Sequence, residues 1–366
     1  MKSLSTLPFS KLLVFIFFLA ISILIVSGVL QWIGSRINLG QYDVALRYKN
    51  KIDYYENFKG DFEVIVAGSS HAKSIHIESL GRKGINFYDG GGDIEEANFK
   101  LSRIIPDAES VKFVIYPLSP GGLLINRSSY GIDKSRVKLM LSNSPLLYLD
   151  YLVYPIELVS NYLDYAFPVR DSKSFATDNL ITLLTTFRWD ENSRRKIHPN
   201  DCFIIDSDSF QSRSEDGIIH GYSRNLMKPK CIPEYAEQTV AAHIKMMNNS
   251  LSADSNVRQK NMRRVVDIAN SLSKRRGKLI LFMPPFTREY YESPEIQSLV
   301  PAHLSDMNEL AKHPAIEFYD YHDFFFEKLD QGENKYFFDD DHLALPGAIE
   351  FSRSLKVQLD KVALNL

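Results

Sequence analysis

Cysteine is almost missing from this chain of 366 residues. There are 2, Cys202 and Cys231, and no C-x-x-C, which excludes a zinc ribbon and a thioredoxin-type redox motif. No excess of positive charge is present either. Lys+Arg 43 against Asp+Glu 45 leaves a formal net charge of -2, which argues against a general nucleic-acid binder, so no nucleic-acid partner is expected. Aromatics at 12% and charged residues at 24%, with only 18 Gly and 16 Pro and no internal repeat or low-complexity tract, argue against long disorder or a fibrous repeat. The mean hydropathy of -0.18 excludes a polytopic membrane protein but not a single span.

One long apolar run is present. Leu12–Ser35 carries no charge and is bracketed by Lys11 and Arg36. At about 1.5 Å per residue it is long enough to cross a hydrocarbon core of about 30 Å. Trp32 stands where an interfacial aromatic belongs. The run exceeds a signal-peptide core of about 7–15 residues and no A-x-A site follows, so residues 1–36 read as an uncleaved, single-pass signal anchor that binds membrane lipid. A cleaved signal peptide is the alternative. Basic residues flank both ends, so their count does not orient the span. An even pair of cysteines suits one disulfide in an oxidising compartment, with two unrelated thiols as the alternative.

Residues 37–61 read as a juxtamembrane linker with some helix. Apolar runs at 62–68, 84–89, 111–118, 278–285 and 315–321 read as buried strands. Helical patterns lie at Ile94–Ile105, Asn256–Lys274, Pro301–Lys312 and Gly347–Val362. This alternation predicts an α/β domain over 62–366, with a parallel sheet of about five strands covered by helices on both faces. The interval of about 120–255 breaks the rhythm and reads as a helical insertion carried on that core. Within it Leu139–Phe167 is apolar and tyrosine-rich, and 170–235 is polar.

The first strand runs into Gly68-Ser69-Ser70-His71, and Phe338-Asp339-Asp340-Asp341-His342 lies before the last helix. Ligands gather at the carboxyl ends of parallel strands. A nucleophilic serine needs a base, and the base needs an orienting carboxylate. Asp339, three residues before His342, can fold back onto Nδ1 and leave Nε2 to face the serine. Taken singly, a serine after a strand is more often a turn or cap residue, and an Asp run more often a solvated turn.

Gly-x-Ser after the first strand, Asn-Phe-Tyr-Asp-Gly-Gly-Gly at 86–92 and Asp-x-x-His before the last helix together resemble the SGNH/GDSL hydrolase superfamily. The resemblance covers 62–120 and 275–360. It implies a flavodoxin-like three-layer α/β/α fold with strand order 2-1-3-4-5, and acyl-ester chemistry with no metal and no cofactor. With the N-terminal anchor, the chain most resembles the extracytoplasmic members of bacterial surface-polymer modification, such as the teichoic-acid D-alanine transfer and alginate O-acetylation proteins. Such proteins act on a surface glycan or an acyl donor beside a membrane acyltransferase partner. Carried over by position, Ser70 matches the nucleophile, His342 the base and Asp339 the acid, with Asp340 and Asp341 as alternatives at other spacings. The oxyanion donors are Ser70, Gly91 (Gly90 or Gly92 in another register) and a third group. The family's third-block asparagine is missing after Tyr116-Pro117-Leu118-Ser119, so Ser119 or Asn126 stands in its place. That departure keeps open a catalytically weak scaffold as the alternative to an enzyme. His71 and Asn86 are candidate substrate contacts or structural groups. Tyr148 and Tyr151 are candidates for a glycan or lipid groove, or for core packing.

Overall fold

A computed structural model describes residues 51–52, 54–88, 92–127, 232–330 and 335–364. It also describes Val14, Phe18 and the residue pairs 203–204, 212–213, 219–220 and 226–227. Apart from Val14 and Phe18, these residues fall in one unit, built from residues 47–130 and 190–366. Among the described residues no helix is long and apolar enough to cross a membrane. The rest of the 12–35 run, Tyr148, Tyr151, Cys202, Cys231, Gly90 and Gly91 lie outside the described residues.

The core is a five-stranded, all-parallel sheet. Its strands are β1 (Val64–Val66), β2 (Gly84–Asn86), β3 (Phe113–Pro117), β4 (Lys278–Met283) and β5 (Ile316–Asp320). They are ordered β2-β1-β3-β4-β5. Successive residues alternate between two buried faces, as the two-residue period of a strand requires. Ile65, Val114, Leu279 and Leu281 enter one hydrophobic cluster, and Val64, Val66, Phe113, Ile115, Ile280 and Phe282 enter the other. Burial on both sides is why these strands read as continuous apolar runs. β2 is shorter than the apolar run from Gly84 to Asp89. Phe87 N–H still bonds Val66 O at 2.7 Å, but Tyr88 N–H turns to Asn86 Oδ1 at 2.9 Å and leaves the ladder.

The helices follow their apolar spacing. α1 (Ile94–Ile104) is capped by Asp93, whose side chain accepts from Glu96 N. α2 (Ile232–Ala253) lies in the stretch expected as a helical insertion, although its bounds were not anticipated; its buried Ala236, Val240 and Met247 fall on one face. α3 (Val257–Ser273) buries Val257, Asn261, Val265, Ile268 and Leu272. α4 runs Pro294–Leu310, a start seven residues earlier than Pro301 suggested. Pro294 takes the first-turn position a proline favours. Pro301 is tolerated inside the helix on an exposed face, where water can satisfy the carbonyl that its missing N–H leaves. α5 (Leu345–Ala363) closes the domain and buries Phe351, Leu355 and Leu359. Tyr55, in the segment expected as a linker, is fully buried and stacked on Phe62 with centroids 5.8 Å apart.

The loop between β5 and α5 is pinned at its base. Phe338 N–H bonds His342 O at 2.9 Å, and Ala344 N–H bonds Tyr336 O at 2.8 Å. A Cβ added at Gly347 would lie 2.2 Å from that same Tyr336 carbonyl oxygen. Gly347→Ala is therefore expected to destabilise the protein by about 1–3 kcal/mol through overpacking against backbone. A urea denaturation midpoint unchanged from wild type would contradict this account of the loop.

Candidate active site

All strands run the same way, so the segments following β1, β3, β4 and β5 leave one edge of the sheet. Gly68 makes the first departure. Its φ of 135° is unfavourable for a side chain, and a Cβ there would stand 3.2 Å from Pro117 Cδ. The chain then enters a 3-10 turn, Ser70–Ser74, so no long helix points its amides at Ser70. Asn86 holds this turn in place: its Nδ2 donates to Ala72 O at 2.8 Å while its Oδ1 accepts from Tyr88. Both ends of the side chain tie loops together, and Asn86 is absent from the cavity wall.

The last loop reaches back over the sheet. Thr287, just after β4, donates from its N–H and its Oγ1 to the Asp340 carbonyl, both at 2.9 Å. Beyond that anchor, His342 Nε2 lies 2.6 Å from Ser70 Oγ. Asp339 Oδ1 and Oδ2 lie 2.9 and 3.0 Å from His342 Nδ1. Asp339 Oδ1 also accepts the backbone N–H of Asp341 at 3.1 Å and of His342 at 2.7 Å, which folds the turn and aims the carboxylate. In the neutral ring, Nδ1–H donates to Asp339 and Nε2 accepts the Ser70 hydroxyl.

Asp341 is a second carboxylate at the ring, 1% exposed, with Oδ1 2.7 Å from Nδ1. His71 is buried, places Nε2 3.2 Å from Asp341 Oδ2, and stacks on His342 with centroids 5.0 Å apart and planes 14° apart. Burial works against a charged His342, but Asp339 and Asp341 overcome it and raise its pKa well above the ordinary histidine value. Burial would raise Asp341; His342 and His71 beside it pull it well below the carboxylate range instead. Asp340 points away, to Thr239 Oγ1 at 3.0 Å. Burial, then Asp341 and Asp339, push it up to about 8.

Ser70 opens on a cavity of about 220 Å³. Gly92, Asp93 and Ile94 from the start of α1, Ser119 after β3, and His243, Met246 and Met247 from α2 contribute to its wall. Asn126 does not; it is buried and its Nδ2 donates to Glu95 Oε2 at 2.9 Å. His243 was not anticipated from the sequence. Its Nδ1 lies 2.8 Å from Tyr290 Oη and its Nε2 3.8 Å from Asp341 Oδ2. No local motif marks it, and an apolar stripe at helical spacing in α2 was the one available signal.

His71, Asp341 and His342 each offer a ligand atom within 4.8 Å of the others, as do Asp339, Asp340 and Asp341. In the first group the two imidazole planes are nearly parallel, so their in-plane lone pairs do not converge on one point without ring rotation. What the arrangement can do without rotation is move a proton from Ser70 Oγ to His342 Nε2.

Comparison of the chain with protein-family models and with curated proteins finds no match.

Asn86→Ala removes the stronger of two donors to the Ala72 carbonyl, which keeps the Ile75 N–H at 3.3 Å, and the side-chain acceptor of the Tyr88 N–H. The expected loss of unfolding free energy is about 1–3 kcal/mol in all. Thermal and urea denaturation measure it, and a neutral result would return Asn86 to the list of substrate contacts.

Proposed function

We propose that the protein is a membrane-anchored serine acyl-ester hydrolase or O-acyltransferase of the SGNH type, acting outside the cytoplasm on a cell-envelope polysaccharide or related surface polymer. The observation that carries this reading is the 2.6 Å approach of Ser70 Oγ to His342 Nε2, with Asp339 on the opposite ring nitrogen, across 272 residues of chain. In this reading Ser70 Oγ attacks the acyl carbonyl carbon as its proton passes to His342 Nε2. The ester C–O bond then breaks and the departing alcohol takes that proton, leaving an acyl group on Ser70. A water or a sugar hydroxyl gives its proton to His342, attacks the acyl carbon and restores Ser70. The Ser70 and Gly91 amides and the Ser119 hydroxyl are the proposed oxyanion donors. No cofactor enters this scheme.

A second reading, a catalytically weak scaffold in a surface-polysaccharide assembly, is favoured by one observation: no asparagine stands among the described residues of the cavity wall. Loss of an oxyanion donor costs about 10²–10³ in rate.

A fluorophosphonate probe decides between the two. Rapid labelling of Ser70, abolished by Ser70→Ala in a variant that melts at the wild-type temperature, is the outcome expected of the enzyme. Absence of labelling at any pH between 6 and 9 would promote the scaffold. The anchor is tested separately. Protease added to intact spheroplasts is expected to digest the domain, and full protection would reverse the orientation.

A further inference from the structure

Two carboxylates meet His342 Nδ1, and the serine–histidine–aspartate line uses one of them. Their surroundings differ. Asp339 is 20% exposed, lies in line with the ring N–H, and already accepts two backbone N–H groups. Asp341 is 1% exposed, and its Oδ1, although 2.7 Å from Nδ1, forms no aligned hydrogen bond. Its other oxygen faces His71 at 3.2 Å and His243 at 3.8 Å. A hydrogen bond needs alignment, whereas Coulomb attraction needs only proximity and grows as water is excluded.

We propose that the two carboxylates divide the work on His342: Asp339 orients the ring through its hydrogen bond, and the buried Asp341 is a second positioning residue that sets how tightly the ring holds its proton. The catalytic consequence rests on the hydrolase reading; the electrostatic claim does not.

The other groups around the ring do not supply this charge. From the turn after β1, His71 stacks on the ring, and Lys73, whose amine burial pushes down, faces Asp339. From α2, His243 is pushed down by burial and stays neutral at pH 7. Tyr290, after β4, is raised by burial and by all three aspartates and keeps its proton. Asp340, pushed to about 8, is mostly protonated at pH 7. The sign follows. Asp339 and Asp341 favour imidazolium, so the neutral base appears only as pH rises through the raised value. Removing Asp341 brings that value down.

The test is an NMR titration of the His342 imidazole in the full chain with 15N-labelled histidine, assigned by His342→Gln. Wild type is expected to titrate well above the ordinary value of about 6.5. Asp341→Asn is expected to move the midpoint down by about 1–3 pH units and to carry the acid limb of labelling or turnover with it. Asp339→Asn presents an amide N–H to Nδ1 and forces the wrong tautomer, so its kcat is expected to fall on the order of 10⁴-fold. A wild-type midpoint near 6.5, or an unmoved midpoint in folded Asp341→Asn, overturns the proposal. If Asp341→Asn does not fold, the same titration in Asp339→Asn decides: a midpoint still above about 6.5 without the Asp339 charge supports the role of Asp341, and one at or below that value overturns it. A high midpoint in a protein whose Ser70 never labels would refute the hydrolase reading and leave this one standing.

Discussion

The paired hydrogen bonds from Thr287 to the Asp340 carbonyl are the constraint on which the site depends. The loop from β5 to α5 starts at the sheet's far edge, with β4 and β3 between it and β1. A loop free to move over that distance would meet Ser70 rarely, because holding its residues costs about 1–2 kcal/mol each in backbone entropy. Thr287 is fully buried where β4 ends, so the loop is tied down halfway along its path. Gly347 and the Tyr336 carbonyl hold its base, and Thr239 holds the Asp340 side chain from α2.

Three consecutive aspartates would repel one another if all were charged in a dry loop. They are not equivalent. Asp339 is partly wet and closes its own turn through two backbone N–H groups. Asp340 faces the opposite way, loses water to burial, and at about 8 is mostly uncharged in neutral solution. Asp341 is the most deeply buried of the charged pair and is matched by histidines. One carboxyl group neutralised by protonation is the low-dielectric solution to three acids in sequence.

α2 ties the fold to the site. Ala236 and Val240 pack with Met283, Phe286 and Tyr290 in one cluster. The same helix presents Thr239 to Asp340 and His243 toward Asp341, and its Met246 and Met247 line the cavity. Its neighbour α3 contributes Asn261, whose Nδ2 donates to Leu123 O and Ile125 O and secures the segment after β3. The cavity wall and the loop that carries His342 therefore share supports, which couples the shape of the one to the placement of the other.

The amino-acid sequence by itself determined the α/β class, the five strands, and Ser70, Asp339 and His342 as the residues to watch. Those properties are local: two-sided burial leaves continuous apolar runs, helices leave a 3.6-residue period, and Gly68-x-Ser70 and Asp339-x-x-His342 are short patterns. The start of α4 was misplaced because two prolines competed and only packing decides between them. α2 was given no bounds inside the expected helical insertion because it adjoins the polar stretch 170–235, which carries no long period. The tertiary structure alone decided that Asp341 approaches the same ring nitrogen as Asp339, that Asn86 clamps loops, and that His243 joins the cluster from α2. Each depends on which way a side chain faces across elements distant in the chain, and no local pattern encodes that direction.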